Sequence, residues 1–269
     1  MPDKSPRVMP GNAMLLTAGN GSRLRPLTNT VPKCMVPIMG KPLLEYTIEH
    51  LRRHGINKIV INLHYLPEVV PDYFGNGAQW NVELSYVHEA ELLGTAGSVR
   101  NSSEYFDGSF FVWYGDNLSN CRLDRLWAQH VLKGGVATIV LHEREDPTQS
   151  GIVGFDKQKR ITRFLEKPGP DEVFSHWVSA GIFVLEPTVV DAIPSEPPSD
   201  FGRDIFPKLL AQHVPLYAYQ MEGNEDLGWI DTAEDLARLQ SRFGGQSSNP
   251  EVRNEHSSLD ASSLTLGIP

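Results

Sequence analysis

The sequence predicts an α/β fold: a Rossmann-like, mostly parallel sheet flanked by helices on both faces, with an added β region in the second half. Three observations carry this expectation. Short apolar runs alternate with helical patterns from residue 11 to about residue 145. Several runs stop at glycine or Gly-Asp, which leaves polar groups at the carboxyl ends of strands, where open α/β sheets bind ligands. The chain has 269 residues, 40% hydrophobic and 21% charged, a globular mix that excludes disorder throughout.

Ala13–Ala18 is a short apolar run ending at Gly19, suited to a buried parallel strand. A Gly- and Pro-rich stretch reaches Pro42. Leu44, Ile48 and Leu51 then share one helical face, closed by Gly55. Lys58–Leu63 and Val82–Val87 read as strands, Thr95–Tyr105 as a helix. Ser109–Tyr114 is a strand that ends at Gly115-Asp116. Arg122–Lys133 is a helix closed by Gly134-Gly135, and Val136–Leu141 is a strand. After residue 145 the texture changes. Strand-like pieces at 151–156 and 161–165 bracket a polar turn, followed by apolar runs at Val178–Leu185 and Leu216–Met221. Thr232–Phe243 is the last helix, with a capping box of Thr232 and Asp235. One domain is expected over residues 11–243, its halves meeting near 145, between a flexible start (1–10) and a flexible tail (244–269).

Lys and Arg total 24 against 33 Asp and Glu, a net charge of −9. No basic excess exists to bind a nucleic-acid polymer, so phosphate chemistry would rest on a few placed cations. Two cysteines, Cys34 and Cys121, exclude a disulfide scaffold. The first residues lack an apolar core and no apolar run approaches 18 residues, so a cytoplasmic protein with neither signal peptide nor membrane span is expected. No internal repeat is present, so a homo-oligomer would form through the domain itself.

Ala18-Gly-Asn-Gly-Ser-Arg-Leu-Arg-Pro-Leu-Thr28 follows the first strand. Gly19 and Gly21 let backbone N–H groups approach an anion, and Arg23 adds a bidentate charge. The plainer reading is a tight turn with a surface Arg. The stretch is neither a P-loop nor a full G-x-G-x-x-G, since Leu24 holds the last position. Prolines on both sides of Lys33, at 32 and 37, stiffen a loop that could hold it near a phosphate; a solvated Lys is the alternative. Cys34 has no base partner and reads as filler. In Leu93-Gly-Thr-Ala-Gly97, Gly94 would let a flat base approach, or Thr95 simply caps a helix. His50, His54 and His64 lack zinc spacing, Phe111 and Trp113 read as core, and Glu143–Asp146 reads as a solvated charged turn.

These motifs in this order resemble the sugar-phosphate nucleotidyltransferase family. They run from Gly19–Thr28 and Pro32–Pro37 through Leu93–Gly97, Gly115-Asp116, Phe164-Leu-Glu-Lys-Pro168, Ala180–Phe183 and Asp204–Lys208 to Trp229-Ile-Asp231. The resemblance implies the nucleotide-diphospho-sugar transferase fold, with residues 11–145 binding nucleotide and 146–243 binding sugar phosphate. It implies condensation of a nucleoside triphosphate with a sugar 1-phosphate, releasing pyrophosphate, with Mg²⁺ on Asp116 and Asp231. By similarity Arg23 holds pyrophosphate, Lys33 sits near the α-phosphate, Lys167 holds the sugar phosphate and Glu166 accepts sugar hydroxyls. Ala18, Gly19, Gly21, Ser22, Glu89, Gly94 and Thr95 would contact nucleotide, and Ser179, Gly181 and Trp229 the sugar. The L-G-T-A-G wording is most similar to the mannose-1-phosphate guanylyltransferase branch and implies GTP. Thymidylyl-, uridylyl- or cytidylyltransferases, or a non-catalytic NDP-sugar-binding regulator, are the alternatives.

The chain departs from the family pattern in three places. Ser179 replaces a usual Asn, Gly202 a usual Glu, and the last motif is two residues short, so Asp226 or Asp235 could take the place of Asp231. The two small residues imply room for a modified hexose, a heptose or a cyclitol phosphate.

Overall fold

The computed structural model describes residues 8–246. In chain order it contains β1 (Asn12–Leu16), a two-residue hairpin of β2 (Pro37–Ile38) and β3 (Lys41–Pro42), α1 (Leu43–Arg53), β4 (Lys58–Leu63), α2 (Val69–Phe74) and β5 (Glu83–His88). Next come α3 (Gly94–Asn101), β6 (Phe110–Tyr114), β7 (Asn117–Ser119), α4 (Leu123–Lys133) and β8 (Ala137–Glu143). The second half adds β9 (Gly151–Phe155), β10 (Ile161–Glu166), β11 (Trp177–Leu185), α5 (Phe206–Ala211), β12 (Leu216–Gln220), β13 (Leu227–Trp229) and α6 (Ala233–Gln246).

The architecture is the expected one. β5, β4, β1 and β6 pair in parallel, with Leu15 beside Ile61 on one side and Trp113 on the other. β11 then joins antiparallel to β6, Ile182 facing Trp113, and continues to β8, β9 and, through β8, to parallel β12. The sheet therefore passes without a break from the first half into the second.

Beyond Asn12, β1 is apolar because both its faces are covered. Ala13 and Leu15 enter one core with Leu44, Ile48 and Leu51 of α1 and Leu126 of α4. Met14, pointing the other way, enters a second core with Ala96 and Val99 of α3 and Phe206 of α5. A third, smaller cluster joins Val36, Ile38 and Leu43 to Ile230, Leu236 and Leu239. It ties α6 to the loop after β1 and so brings the two ends of the site together.

Most elements lie where the sequence places them, with differences at their ends. The helix at 95–105 stops at Asn101, and 103–105 is a single 3₁₀ turn. α6 runs to Gln246, so residues 244–246 are helix and not tail. The reciprocal cap is present: Thr232 N–H donates to Asp235 Oδ2 (3.0 Å) and Asp235 N–H to Thr232 Oγ1 (3.2 Å). The expectations for residues 1–7 and 247–269 fall outside the described residues. Among those described, no helix is long and apolar enough to cross a membrane.

Candidate active site

Two cavities open at the carboxyl ends of β1 and β6 and meet at Asp116. The first, about 260 Å³, is walled by Ala18, Gly19, Lys33, Glu89, Gly94 and Thr95. The second, about 210 Å³, is walled by Arg23, Glu166, Lys167, Ser179, Gly181, Trp229 and Asp231. Asp116 and Tyr114 line both. Of the residues the resemblance assigns to nucleotide, sugar or metal, Gly21 and Ser22 line neither, nor do the alternative carboxylates Asp226 and Asp235. Gly21 instead shapes the loop: its carbonyl accepts the Thr28 hydroxyl (2.7 Å) and the Leu24 N–H (3.0 Å).

The floor of the first cavity is a buried polar network. Asn62 sits in the apolar run of β4 and is 2% exposed. Its Oδ1 accepts the Thr17 N–H (2.7 Å), and its amide donates to Glu89 Oε1 (2.8 Å) and Ser98 Oγ (3.0 Å). The Thr17 hydroxyl donates to the Asn62 carbonyl. Glu89 Oε2 accepts the Leu93 N–H at 3.3 Å. This network locks the first strand-to-loop turn to the base of α3 and orients the Glu89 carboxylate.

At the junction, Lys33 Nζ lies 2.6 Å from Asp116 Oδ2 and 2.6 Å from Asp231 Oδ1. Arg23 Nη2 reaches the same Asp231 oxygen at 3.0 Å. Burial alone would lower the Lys33 pKa, but the two carboxylates outweigh it and raise it above 10.5. Burial likewise works against Asp231, but Lys33 and Arg23 hold it below 3.8. Neither rival carboxylate takes this place: Asp235 is spent on the α6 cap, and Asp226 Oδ1 accepts the neighbouring Leu227 N–H (2.8 Å). Cys34, adjacent to Lys33, is buried filler whose thiol burial pushes up to about 12.

Two glycines have roles different from those the sequence suggests. A Cβ on Gly94 (φ +76°) would lie 2.4 Å from the Ser199 carbonyl oxygen, so packing against that segment already demands glycine where it lines the first cavity. Thr95 is not a cap: its hydroxyl donates to Asp200 Oδ2 at 2.7 Å. Asp200 in turn caps the wide turn at 201–205, its Oδ1 accepting the Gly202 and Arg203 N–H groups. A Cβ on Gly202 would lie 2.5 Å from Glu166 Oε2, and one on Gly151 2.6 Å from the same atom. The space left by Gly202 is therefore not open room for a larger sugar. The Glu166 carboxylate fills it. Burial, then the nearby Asp200 charge, raises the Glu166 pKa above 4.5.

Of the 143–146 run, Glu143 ends β8 and 144–146 lead away from the strand without regular structure, and the run is not wholly solvated. Arg144 turns inward to line the second cavity, its guanidinium carbon 4.0 Å from the centre of the Trp229 ring. His142 beside it is driven down to about 4, first by burial and then by the Arg144 charge, so it is neutral at pH 7. Asn62 and Arg144 are among the wall residues that sequence reasoning missed, with Thr17, Ser98, Tyr114, Ser150 and Asp200. The one available signal was a lone Asn inside a strand-like run.

A crossover α/β sheet with two cavities joined over a carboxylate pair is the architecture of a nucleotide-diphospho-sugar transferase. A solved UDP-glucose pyrophosphorylase complexed with UDP-glucose superposes with a TM-score of 0.76 at 19% identity, covering 87% of this chain and 98% of that one. The sequence profile described as nucleotidyl transferase matches residues 12–240. A UTP–glucose-1-phosphate uridylyltransferase of Synechocystis sp. is 37% identical over 233 residues, 81% of this chain and 59% of the relative. A mannose-1-phosphate guanylyltransferase of Mycobacterium tuberculosis is 33% identical over 233 residues, 84% of this chain and 63% of the relative. The chain belongs to the nucleotidyl transferase family, among its sugar-phosphate members. It spans about six tenths of the length of these curated relatives.

Proposed function

We propose that the protein condenses a nucleoside triphosphate with a sugar 1-phosphate to give an NDP-sugar and pyrophosphate. The observation that carries this is the meeting of two cavities at Asp116, with Lys33 and Asp231 at the seam. The nucleotide enters the first cavity and the sugar phosphate the second. A phosphate oxygen of the acceptor attacks the α-phosphorus, and the bond from that phosphorus to the pyrophosphate oxygen breaks in line. Lys33 lies on that path and neutralises charge on the transferring group, Arg23 receives the departing pyrophosphate, and Lys167 holds the acceptor's phosphate. Glu166 accepts hydroxyl protons of the sugar, held in place between Gly151 and Gly202.

Asp116 and Asp231 suit Mg²⁺. They offer hard carboxylate oxygens, they already share one cation in Lys33, and no group of three or more His, Cys, Asp or Glu competes among the described residues. Two protein ligands leave the remaining positions for water and substrate phosphates. When bound, the ion polarises phosphate oxygens and adds charge that the lysine cannot supply alone.

For the base, Glu89 favours guanine. Its two oxygens each retain an acceptor site, and guanine presents N1–H and N2–H side by side. Uracil and thymine place a single N–H between two carbonyls, which a carboxylate repels. The uridylyltransferase relative at 37% identity supports UTP as the second reading. Pyrophosphate release measured over five nucleoside triphosphates crossed with hexose, heptose and cyclitol phosphates tests both. No release in any combination, with nucleotide sugar still bound, would instead identify a non-catalytic regulator.

A further inference from the structure

We propose that Arg144 is a substrate-binding residue that, with Lys167, grips the phosphate of the sugar 1-phosphate. The inference rests on the sugar-phosphate reading of the second cavity.

Arg144 is fixed at three points. Its N–H donates to the His176 carbonyl (3.0 Å), and its own carbonyl meets His176 Nδ1 at 3.0 Å. Its guanidinium lies over the Trp229 ring. Yet of its five side-chain N–H donors only one is used among the described residues, on Nη1, which reaches Ser150 Oγ at 3.0 Å. No carboxylate stands within 4.0 Å of it among the described residues, whereas Arg23 and Lys33 are both tied to Asp231. A half-buried, stacked arginine with unused donors facing a cavity is built for a planar or tetrahedral anion.

The position of that anion follows from Ser150. Ser150 gives its Oγ to Arg144, and its carbonyl accepts the Lys167 N–H at 3.1 Å. The two cations thus flank one residue. Lys167 is held with φ +49°, a strained backbone for a side-chain-bearing residue. Both cations line the second cavity together with Asp231. Arg23 and Lys33 approach the seam between the cavities from the glycine-rich loop, while Arg144 and Lys167 approach from the sugar side. One phosphate bridging the latter pair would present its free oxygen to the α-phosphorus.

The test uses Arg144→Met, which keeps a stem over Trp229, and Arg144→Lys, which restores charge without the fork. The probes are glucose 1-phosphate as acceptor (or the best acceptor of the matrix) and inorganic phosphate as a competitive inhibitor against it. Arg144→Met is expected to raise the acceptor KM and the phosphate inhibition constant together by about 10-fold or more, with the nucleotide KM changed less than about 3-fold. Arg144→Lys should recover part of both. An unchanged acceptor KM in Arg144→Met, or a rise confined to nucleotide or pyrophosphate, overturns the proposal. Calorimetric binding of inorganic phosphate to the free protein separates it from the function itself. Phosphate binding that is lost in Arg144→Met, in a protein that turns over no sugar phosphate, would sink the function and keep the anion site. Loss of fold in Arg144→Met leaves Arg144→Gln to decide: it removes the charge and keeps a polar side chain, and a wild-type acceptor KM together with a wild-type phosphate inhibition constant in that variant would overturn the proposal.

Discussion

The Lys33 ammonium lies 2.6 Å from the Asp231 carboxylate, although 198 residues separate them. The contact closes the site, because α6 carries Asp231 to the loop after β1. It also places a lysine where a divalent ion would share the same oxygens. Metal and ammonium then compete, until phosphate oxygens of the nucleotide draw Lys33 away. Lys33→Met is therefore expected to bind Mn²⁺ about 10-fold more tightly than wild type without nucleotide, yet to lose about 10²-fold or more in turnover. Mn²⁺ binding followed by electron paramagnetic resonance checks this, and weaker or equal binding in the variant would count against a shared site.

Asp116→Asn keeps the shape of the second carboxylate and removes its charge. Lys33 retains Asp231, and the Asp116 side chain is 34% exposed, so thermal stability should change by no more than about 1 kcal/mol. Turnover should fall by about 10²-fold or more, and excess chelator should abolish what the wild type shows. Full activity of the variant, or of wild type in chelator, would remove the metal from the assignment.

Glu166 carries the opposite electrostatic sign. Its folded pKa lies above the ordinary 4.5, because of burial and then the Asp200 charge. A carboxyl raised on folding costs stability when ionised in both states, and the cost disappears once pH falls below 4.5 and both states are protonated. Glu166→Gln should therefore raise the melting temperature at pH 7 by about 1–4 °C, with the gain shrinking towards pH 4, while acceptor KM rises. Melting curves across pH 4–8 decide it; a gain that is constant with pH would assign the effect to packing.

Much of this was legible in the sequence because it is written locally. The apolar runs of β1, β4 and β6 and the glycine loop announce themselves within a few residues, and Asp116 follows a strand directly. What was not legible depends on distant partners. Gly94 is bare because of Ser199, and Gly202 because of Glu166. Asn62 interrupts an apolar strand for the sake of Thr17 and Glu89, and Arg144 is drawn out of a charged run by Trp229. α2 and α5, at six residues each, are too short to show a helical period. The antiparallel entry of β11 beside β6 has no local signature at all.

The Gly202 finding changes what a substitution there should do. Replacing Ser179 and Gly202 with the larger Asn and Glu usual in the family would not simply fill empty space, since Glu166 already occupies it. Gly202→Ala alone is expected to push the Glu166 carboxylate aside and raise acceptor KM by about 10-fold, leaving nucleotide KM unchanged. In a Glu166→Ala background the same change should add little, because the clash has been removed. Steady-state kinetics of the double-mutant cycle measures this; additive effects of the two changes would show that they do not meet.

On the proposed guanine reading, the choice of base turns on Glu89. Oε1 accepts the Asn62 amide at 2.8 Å and Oε2 the Leu93 N–H at 3.3 Å, which fixes the carboxylate and leaves one acceptor site on each oxygen. Two adjacent acceptors match the N1–H and N2–H edge of guanine. They leave the carbonyls of uracil or thymine facing negative charge. Glu89→Gln keeps the oxygen that Asn62 needs, gives up the long Leu93 N–H contact on the other side and presents a donor there in place of an acceptor. That single exchange should cost GTP about 10- to 100-fold in kcat/KM and should help UTP or dTTP, whose N3–H and adjacent carbonyl fit an amide. Competition among GTP, UTP, dTTP, CTP and ATP for one sugar phosphate reads the preference in wild type and variant. A wild-type preference for UTP or dTTP would overturn the guanine assignment while leaving the phosphate-transfer residues untouched, since the roles proposed for Arg23, Lys33, Asp116 and Asp231 concern phosphates that every nucleotide shares.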